Sequence, residues 1–325
     1  MYRMKRHAAG VGTRTPDIAQ MPRPIRRLSP RLLMVCPWPA QVRWRIPCGA
    51  SRGAPTMAGM PNALRLAVAQ PQMQWTTAGN LRQIVESIEI AAREGARLCV
   101  FPELALTGLH RGIREQAVPS IVAPALYEVR EACRANAIAC RIGAPTFGDA
   151  GAVFDSDLHF DAGGDLLATV SKNGLTPSEQ SFFQPGIGRP VIRFEGRSCT
   201  SVICREVEDL AVLGAQMRLS PVELIFWPSL VGHPPGTVLE TAVDSADLGY
   251  ARRAAVMARR FEAWVVQSNW PNALNTPGSS YLGESKVVAP TGEVLLTLPR
   301  DQAGVAVFDL GERAFHWIPL DVEGG

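Results

Sequence analysis

The chain has 325 residues, 46% of them hydrophobic, and a formal net charge of +3 at pH 7, which is typical of a globular protein with a substantial core. The charge is uneven: residues 1–60 hold ten Arg and one Lys against the single acid Asp17, whereas residues 61–325 hold 22 basic and 29 acidic side chains. Residues 61–325 therefore lack the excess of basic side chains that binding to nucleic acid or to an anionic membrane requires, and we expect neither partner. Small-molecule chemistry is the favoured class.

The spacing of the cysteines and histidines bears on the redox state of the thiols and on metal binding. The seven cysteines form no CxxC pair, which is typical of reduced thiols and predicts a cytoplasmic protein. The five histidines form no HxxH or HExxH pattern, so we predict neither a metal site nor a cofactor. No run approaches the roughly 20 apolar residues of a membrane-spanning helix.

Residues 1–60 differ in amino-acid composition from the rest of the chain. They contain eight of the 26 prolines and the Arg excess, with no sustained apolar period. Such a segment buries too little surface to offset chain entropy, so we predict that it is disordered or loosely attached. A transit peptide has similar composition. We favour a start-site artefact, with the true start at Met57 or Met60.

Strand and helix patterns alternate over residues 61–311, which we expect to form a single domain. Helical spacing is predicted over 80–97, around 124–136 and over 242–261. The hairpin turn "DAGGD" indicates antiparallel pairs within an otherwise α/β pattern, and so a mixed sheet. The predicted strands are, in chain order, "LRLAVAQ" (64–70), "LCVFPE" (98–103), "ACRIGAPTF" (139–147), "VFDSDLHF" (153–160), "LLATVSK" (166–172), "RPVIRFEG" (189–196), "CTSVIC" (199–204), "VELIFWPS" (222–229), "AWVVQSN" (263–269), the pair within "SKVVAPTGEVLLTL" (285–298), and "GVAVFDL" (304–310).

Three polar residues end apolar strands: Glu103, Lys172 and Cys204. Taken singly, an acid or a lysine at a strand end is usually a solvated boundary residue, and a cysteine in an apolar run is usually an inert core thiol. Together they supply a thiol nucleophile, a base to take its proton and a cation for developing negative charge. In an α/β sheet such residues gather at the carboxyl ends of strands.

The motifs around these residues resemble those of the nitrilase superfamily, the carbon-nitrogen hydrolases, from about Leu64 to Leu310. The Glu motif is similar to "VFPELALTG" (100–108), the Lys motif to "SKNGLTPSEQSFFQPG" (171–186) and the Cys motif to "SVICRE" (201–206). Supporting signatures include "SN" (268–269) and "SYLGESKVVAPTGEVL" (280–295). The resemblance implies a single-domain, four-layer αββα sandwich of mixed sheets and a homodimer or larger homo-oligomer.

The resemblance also implies roles for individual residues. Glu103 would be the general base, Lys172 would stabilise the oxyanion and Cys204 would attack the substrate carbon to form a thioester. Glu179 matches a second family glutamate that orients Lys172 or the substrate. Backbone N–H groups at Arg205 and Glu206 would complete the oxyanion hole.

Two segments depart from the family pattern and leave the substrate open. Arg205 stands where an aromatic residue is usual, followed by "EVEDLAVLG", and "LTGLHRG" replaces the common "TGY". The Arg205 side chain would bind a substrate carboxylate or form a salt bridge with Glu208 or Asp209. The tail 312–325 carries an apolar cluster that would cover its own sheet or contact a partner subunit: Phe315, Trp317 and Ile318.

The leading functional hypothesis is a hydrolase of non-peptide carbon-nitrogen bonds in a small linear amide or carbamoyl compound, releasing ammonia or an amine. The alternative within the superfamily is a nitrilase acting on a small nitrile, and an acyltransferase is also open. From other classes come a non-catalytic binding protein, which buried charges without a task disfavour, and a Cys-His protease. The last would need His110 or His159 beside the thiol.

Overall fold

The computed structural model describes residues 64–218, 220–233 and 250–321. The predicted disordered leader, residues 1–60, lies outside the described residues, as do residues 242–249 of the third predicted helix. Within the described part of the chain, no helix is long and apolar enough to cross a membrane.

Thirteen strands and five α-helices are present in the described residues. The strands are β1 (Arg65–Gln70), β2 (Leu98–Val100), β3 (Ala139–Phe147), β4 (Val153–Phe160), β5 (Leu166–Ser171), β6 (Ile192–Phe194), β7 (Arg197–Ser201), β8 (Leu224–Ser229), β9 (Trp264–Asn269), β10 (Lys286–Val288), β11 (Val294–Thr297), β12 (Gly304–Asp309) and β13 (His316–Pro319). The helices are α1 (Thr77–Arg93), α2 (Ile113–Gln116), α3 (Pro119–Asn136), α4 (Leu210–Met217) and α5 (Tyr250–Phe261).

The strands form two mixed sheets. The seven-stranded sheet has the order β13-β12-β1-β2-β3-β4-β5, and the six-stranded sheet has the order β11-β10-β9-β8-β7-β6. Strands β1, β2 and β3 run parallel, and β5 runs in the same direction because each of the pairs β3-β4 and β4-β5 is antiparallel. In the second sheet β7, β8 and β9 run parallel. The carboxyl ends of β2 and β5 therefore lie at the same end of the first sheet.

Apolar side chains build a core on each side of each sheet. Ile84 and Ile88 of α1 and Val129 of α3 pack on the outer face of the first sheet. Between the sheets lies a second core, formed in part by Leu66 and Phe226. Helices α4 and α5 pack on the outer face of the second sheet. The predicted four-layer αββα sandwich is therefore confirmed.

Both ends of the predicted element pattern need adjustment. Helix α1 begins three residues earlier than predicted, because the Thr76 hydroxyl accepts a hydrogen bond from the Gly79 N–H at 3.2 Å and caps it. The tail forms β13, an edge strand that the sequence did not predict, paired antiparallel with β12. Trp317 packs against the core between the sheets, so this part of the tail covers its own sheet.

Candidate active site

Glu103, Lys172 and Cys204 lie together in the folded chain. Lys172 Nζ donates a hydrogen bond to Glu103 Oε1 at 2.5 Å, and both side chains are fully buried. The Cys204 thiol interacts with the Glu103 carboxylate and lies within electrostatic range of the Lys172 ammonium, yet the residue is only partly buried. A partly buried thiol therefore lies beside a buried carboxylate and a buried ammonium.

Glu103 is held through its backbone. The main chain after β2 turns sharply, with Leu104 at φ 50°, and packs tightly against Gly143 of β3. A Cβ on Gly143 would lie 2.2 Å from the Leu104 nitrogen, so only glycine allows this approach. The Trp270 indole Nε1 donates to the Glu103 carbonyl at 2.8 Å. These contacts fix the direction in which the carboxylate enters the site.

Cys204 does not end a strand as predicted. Strand β7 stops at Ser201, and Cys204 opens a 3₁₀ turn that extends to Glu208, with Cys204 itself at φ 48°. A non-glycine residue rarely adopts this left-handed conformation. The Trp227 indole Nε1 donates to the Cys204 carbonyl at 2.9 Å and helps to hold the turn. The sharp turn places the thiol at the rim of the core instead of within it.

The Cys204 thiol also faces a backbone segment that Asn269 fixes. Its sulfur lies 3.9 Å from the Leu230 carbonyl oxygen. Asn269 Oδ1 accepts from the Val231 N–H at 2.9 Å, and Asn269 Nδ2 donates to the Val231 and Gly283 carbonyls, each at 2.8 Å. The "SN" signature of the sequence therefore supports the wall opposite the thiol.

Three carboxylates surround the Lys172 ammonium. Besides Glu103, Lys172 Nζ donates to Glu179 Oε1 at 2.8 Å, and it lies 3.6 Å from Asp155 Oδ2. The second Glu179 oxygen accepts from the Thr176 N–H at 2.8 Å, which fixes the carboxylate toward Lys172. Among the described residues no group of three or more His, Cys, Asp or Glu side chains is arranged to hold a metal ion.

The electrostatics of the site keep the thiol neutral and the lysine charged. Burial, followed by the negative charge of Glu103, raises the pKa of the Cys204 thiol well above its usual range, although Lys172 opposes this. Burial alone would lower the pKa of Lys172, but the surrounding negative groups raise it well above its usual range. Attack by Cys204 therefore needs a base to take its proton.

The Glu206 carboxylate joins the backbone after Lys172, the Arg189 side chain and the backbone before Cys204, and we call this arrangement the Glu206 clasp. Its Oε1 accepts from the Asn173 N–H at 2.8 Å, the Gly174 N–H at 3.2 Å and Arg189 at 2.8 Å, and its Oε2 accepts from the Ile203 N–H at 2.7 Å. Its own N–H donates to the Ile203 carbonyl at 3.0 Å. This N–H is therefore engaged within the turn, and its place in the oxyanion hole stays a prediction. The Arg205 N–H stays a prediction.

The remaining charged side chains of this loop, Arg205, Glu208 and Asp209, also form ion pairs. The Arg205 guanidinium lies 3.3 Å from Asp209, which is the salt-bridge alternative raised by the sequence. Glu208 pairs with Arg253 of α5. In this structure the charged side chains that follow Cys204 therefore bind other side chains of the same chain.

Both histidines considered for a Cys-His pair are engaged elsewhere. His110 Nε2 is 3.0 Å from the Thr107 carbonyl, and its Nδ1 accepts from the Gly112 N–H at 3.2 Å. His159 Nε2 is 2.8 Å from Ser201 Oγ within a fully buried cluster that also contains Asp157. The structure gives no support to a Cys-His protease.

The family model of the carbon-nitrogen hydrolases matches residues 65–314. The chain belongs to the carbon-nitrogen hydrolase family. It is an enzyme of that class, which confirms the resemblance seen in the three motifs. No curated protein matches the chain.

Solved structures similar to this carbon-nitrogen hydrolase include those of an amidase from Nesterenkonia sp. AN1. A variant of that amidase, described as a member of the nitrilase superfamily, is 22% identical with a TM-score of 0.66 and covers 78% of this chain and 93% of its own. The amidase after tag removal is 26% identical, with a TM-score of 0.63 and coverage of 76% and 92%. A variant in complex with butyramide is 25% identical, with a TM-score of 0.63 and coverage of 76% and 91%.

Sequence reasoning missed several residues of this carbon-nitrogen hydrolase site. Trp227 lies within the predicted strand "VELIFWPS" and Trp270 directly follows "AWVVQSN", and neither has a predicted role, although each donates a hydrogen bond to the backbone carbonyl of a site residue. Asp155 was treated as part of a strand. A usable signal exists in "VFDSDLHF", because Asp155, Asp157 and His159 alternate on one face of the strand while the other face, apart from Ser156, is apolar.

Proposed function

We propose that this enzyme hydrolyses the carbon-nitrogen bond of a small linear amide or carbamoyl compound through a thioester on Cys204. The observation that carries the proposal is the position of Glu103, whose carboxylate interacts with both the Lys172 ammonium and the Cys204 thiol. One group can therefore move the thiol proton while the adjacent cation balances the charge that develops.

The first half-reaction forms the thioester. Glu103 accepts the Cys204 proton as the sulfur attacks the carbonyl carbon. The negative charge that forms on the carbonyl oxygen is stabilised by the Lys172 ammonium and the predicted Arg205 N–H. The tetrahedral intermediate then collapses, the carbon-nitrogen bond breaks, and the proton held by Glu103 passes to the leaving nitrogen. Ammonia or an amine departs.

The second half-reaction regenerates the thiol. Glu103 takes a proton from water, the resulting hydroxide adds to the thioester carbonyl, and the carbon-sulfur bond breaks. The proton returns to the Cys204 sulfur, and a carboxylic or carbamic acid is released. Lys172 serves both steps because Glu103 and Glu179 hold its ammonium in one place. The similar amidase that binds butyramide supports a small aliphatic amide as substrate.

An ammonia-release screen at neutral pH tests this proposal. Small aliphatic amides, carbamoyl amines and the corresponding nitriles are compared with wild-type protein, Cys204→Ala and the control Cys133→Ala, which removes a buried thiol of α3. We expect amide turnover that is lost in C204A and kept in C133A. Turnover in C204A would overturn the thioester mechanism, and turnover of nitriles alone would favour the nitrilase alternative. The predicted homodimer stays a prediction.

A further inference from the structure

Asp155 is a buried carboxyl group that the proposed reaction does not use. It is 1% exposed, and neither of its side-chain oxygens accepts a hydrogen bond from a described donor. Its backbone carbonyl accepts from the Lys172 N–H at 2.8 Å, so its position at the site is fixed by the sheet. Buried carboxylates without donors are costly, so this arrangement calls for a physical explanation.

Lys172 lies further from Asp155 than from the other two acids of the site. The ammonium makes its two short contacts with Glu103 at 2.5 Å and Glu179 at 2.8 Å, whereas Asp155 Oδ2 at 3.6 Å lies beyond hydrogen-bond distance. If all three acids were ionised, one buried cation would face three negative charges. Such an excess of buried like charge favours binding of a proton.

The neighbouring carboxylate offers the place for that proton. The carboxyl groups of Asp155 and Glu103 are neighbours, because Lys172 Nζ lies 3.6 Å from an oxygen of the first and 2.5 Å from an oxygen of the second, and two ionised carboxylates so placed repel each other. Glu103 Oε2 also lacks a donor of standard geometry among the described residues. A single proton between the two groups provides the missing donor. Since Lys172 lies closer to Glu103 than to Asp155, the negative charge belongs on Glu103 and the proton on Asp155.

We propose that Asp155 is a positioning residue that works as a neutral carboxylic acid, donating its O–H to the Glu103 carboxylate. Resting on the proposed roles of Glu103 and Cys204, this adds a further group to the site. The Asp155 proton stays on Asp155 throughout the reaction and is not transferred to substrate. It orients Glu103 toward the thiol while adding no negative charge beside the developing oxyanion.

The chemistry of the pair predicts a dependence on pH. The groups that face Asp155 are Glu103, Glu179 and Lys172, and burial followed by the charge of Glu103 raises the pKa of Asp155 well above its usual range. At alkaline pH Asp155 loses its proton. The new charge then opposes formation of the Cys204 thiolate and removes the donor to Glu103.

Alkylation of Cys204 by iodoacetamide tests the proposal without requiring turnover of any substrate. Asp155→Asn keeps a neutral donor, whereas Asp155→Ala removes it. At pH 7 we expect D155N to react within about threefold of wild type and D155A to react about tenfold more slowly or worse, as for loss of a hydrogen bond to a charged group. At alkaline pH D155N should react faster than wild type. The matched control, Asp157→Asn, alters a buried acid two residues along β4 that contacts Ser201 instead of Glu103 and should follow the wild-type curve.

Infrared difference spectra give a second readout. Wild type minus D155N at pH 7 should contain the carbonyl band of a protonated carboxylic acid, and this band should fade at alkaline pH. If D155N does not fold, as judged by circular dichroism, Asp155→Ser supplies a neutral donor for both measurements. A D155N rate as low as that of D155A at pH 7, or absence of the protonated band, would overturn the proposal. Neither the alkylation rate nor the infrared band depends on turnover of a substrate. Both measurements therefore still test the role of Asp155 if the ammonia screen finds no amidase activity.

Discussion

Glu179 reaches the Lys172 ammonium from the outer side of the site, at 2.8 Å and with 13% of its own side chain exposed, whereas Lys172 is fully buried. It is therefore the carboxylate through which the buried cation is connected to the protein surface. Because its second oxygen is bound to the Thr176 N–H, the orientation of Lys172 depends on the loop that follows β5.

Glu179→Gln should lower kcat by about tenfold to a hundredfold, with a smaller change in KM. The amide leaves the loop intact but removes the charge that helps to hold the ammonium in place. Steady-state kinetics on the best amide substrate measure the effect. Glu131→Gln on α3, which alters an exposed pair with Arg134, is the control and should match wild type. Wild-type kcat in E179Q would contradict a role in orienting Lys172.

Similar substitutions at Glu206 and Asp209 should lower the free energy of unfolding by very different amounts. Glu206→Gln breaks a buried ion pair with Arg189 and should lower the free energy of unfolding by about 3 kcal/mol or more. Asp209→Asn breaks the partly exposed pair with Arg205 and should cost less than about 1 kcal/mol. Urea denaturation of both variants measures the difference. Equal costs would show that Glu206 does not act as the clasp described.

His159 makes the protein less stable in acid. Burial, followed by the nearby Arg141 cation, lowers the pKa of His159 to about 4, so the folded state prefers the neutral ring. The stabilising contribution is complete above pH ~6.5, the unfolded pKa, and is lost as the pH falls toward 4, at a cost of roughly 3 kcal/mol. In His159→Gln the slope of unfolding free energy against pH should be flatter across this window. Parallel slopes for the two proteins would contradict the assignment.

Residues 1–60 are predicted to be dispensable. A chain that starts at Met57 or Met60 should keep full activity and an unchanged melting temperature, because the described sandwich begins at residue 64. Ammonia release and thermal unfolding of the truncated and full-length proteins provide the comparison. Failure of the shorter chain to fold would refute the prediction of a disordered or non-native leader.

Much of the site was accessible from sequence because its reactive residues follow apolar strands. "LCVFPE" and "LLATVSK" place Glu103 and Lys172 after strands that run in one direction, and the pattern needs no knowledge of tertiary contacts. The conformation of Cys204 was not accessible in this way. Its left-handed turn depends on a hydrogen bond from Trp227, 23 residues further along the chain.

The contacts that sequence did not predict are those between polar groups far apart in the chain. Glu206 accepts a hydrogen bond from the Asn173 N–H, 33 residues earlier in the chain, and the sequence pattern around either residue does not indicate this pairing. Asp155 was overlooked because a polar residue in a strand ordinarily marks a solvated face. In this fold both faces of β4 are largely covered, so the same alternation places acids inside.

The clasp made by Glu206 divides the loop after the nucleophile into parts with different tolerance to change. Arg205, Glu208 and Asp209 form partly exposed ion pairs, so substitution at these positions should cost little stability. Glu206 joins the backbone after Lys172 to the backbone before Cys204. Libraries that randomise the whole loop should therefore recover active members mainly when glutamate is kept at this one position.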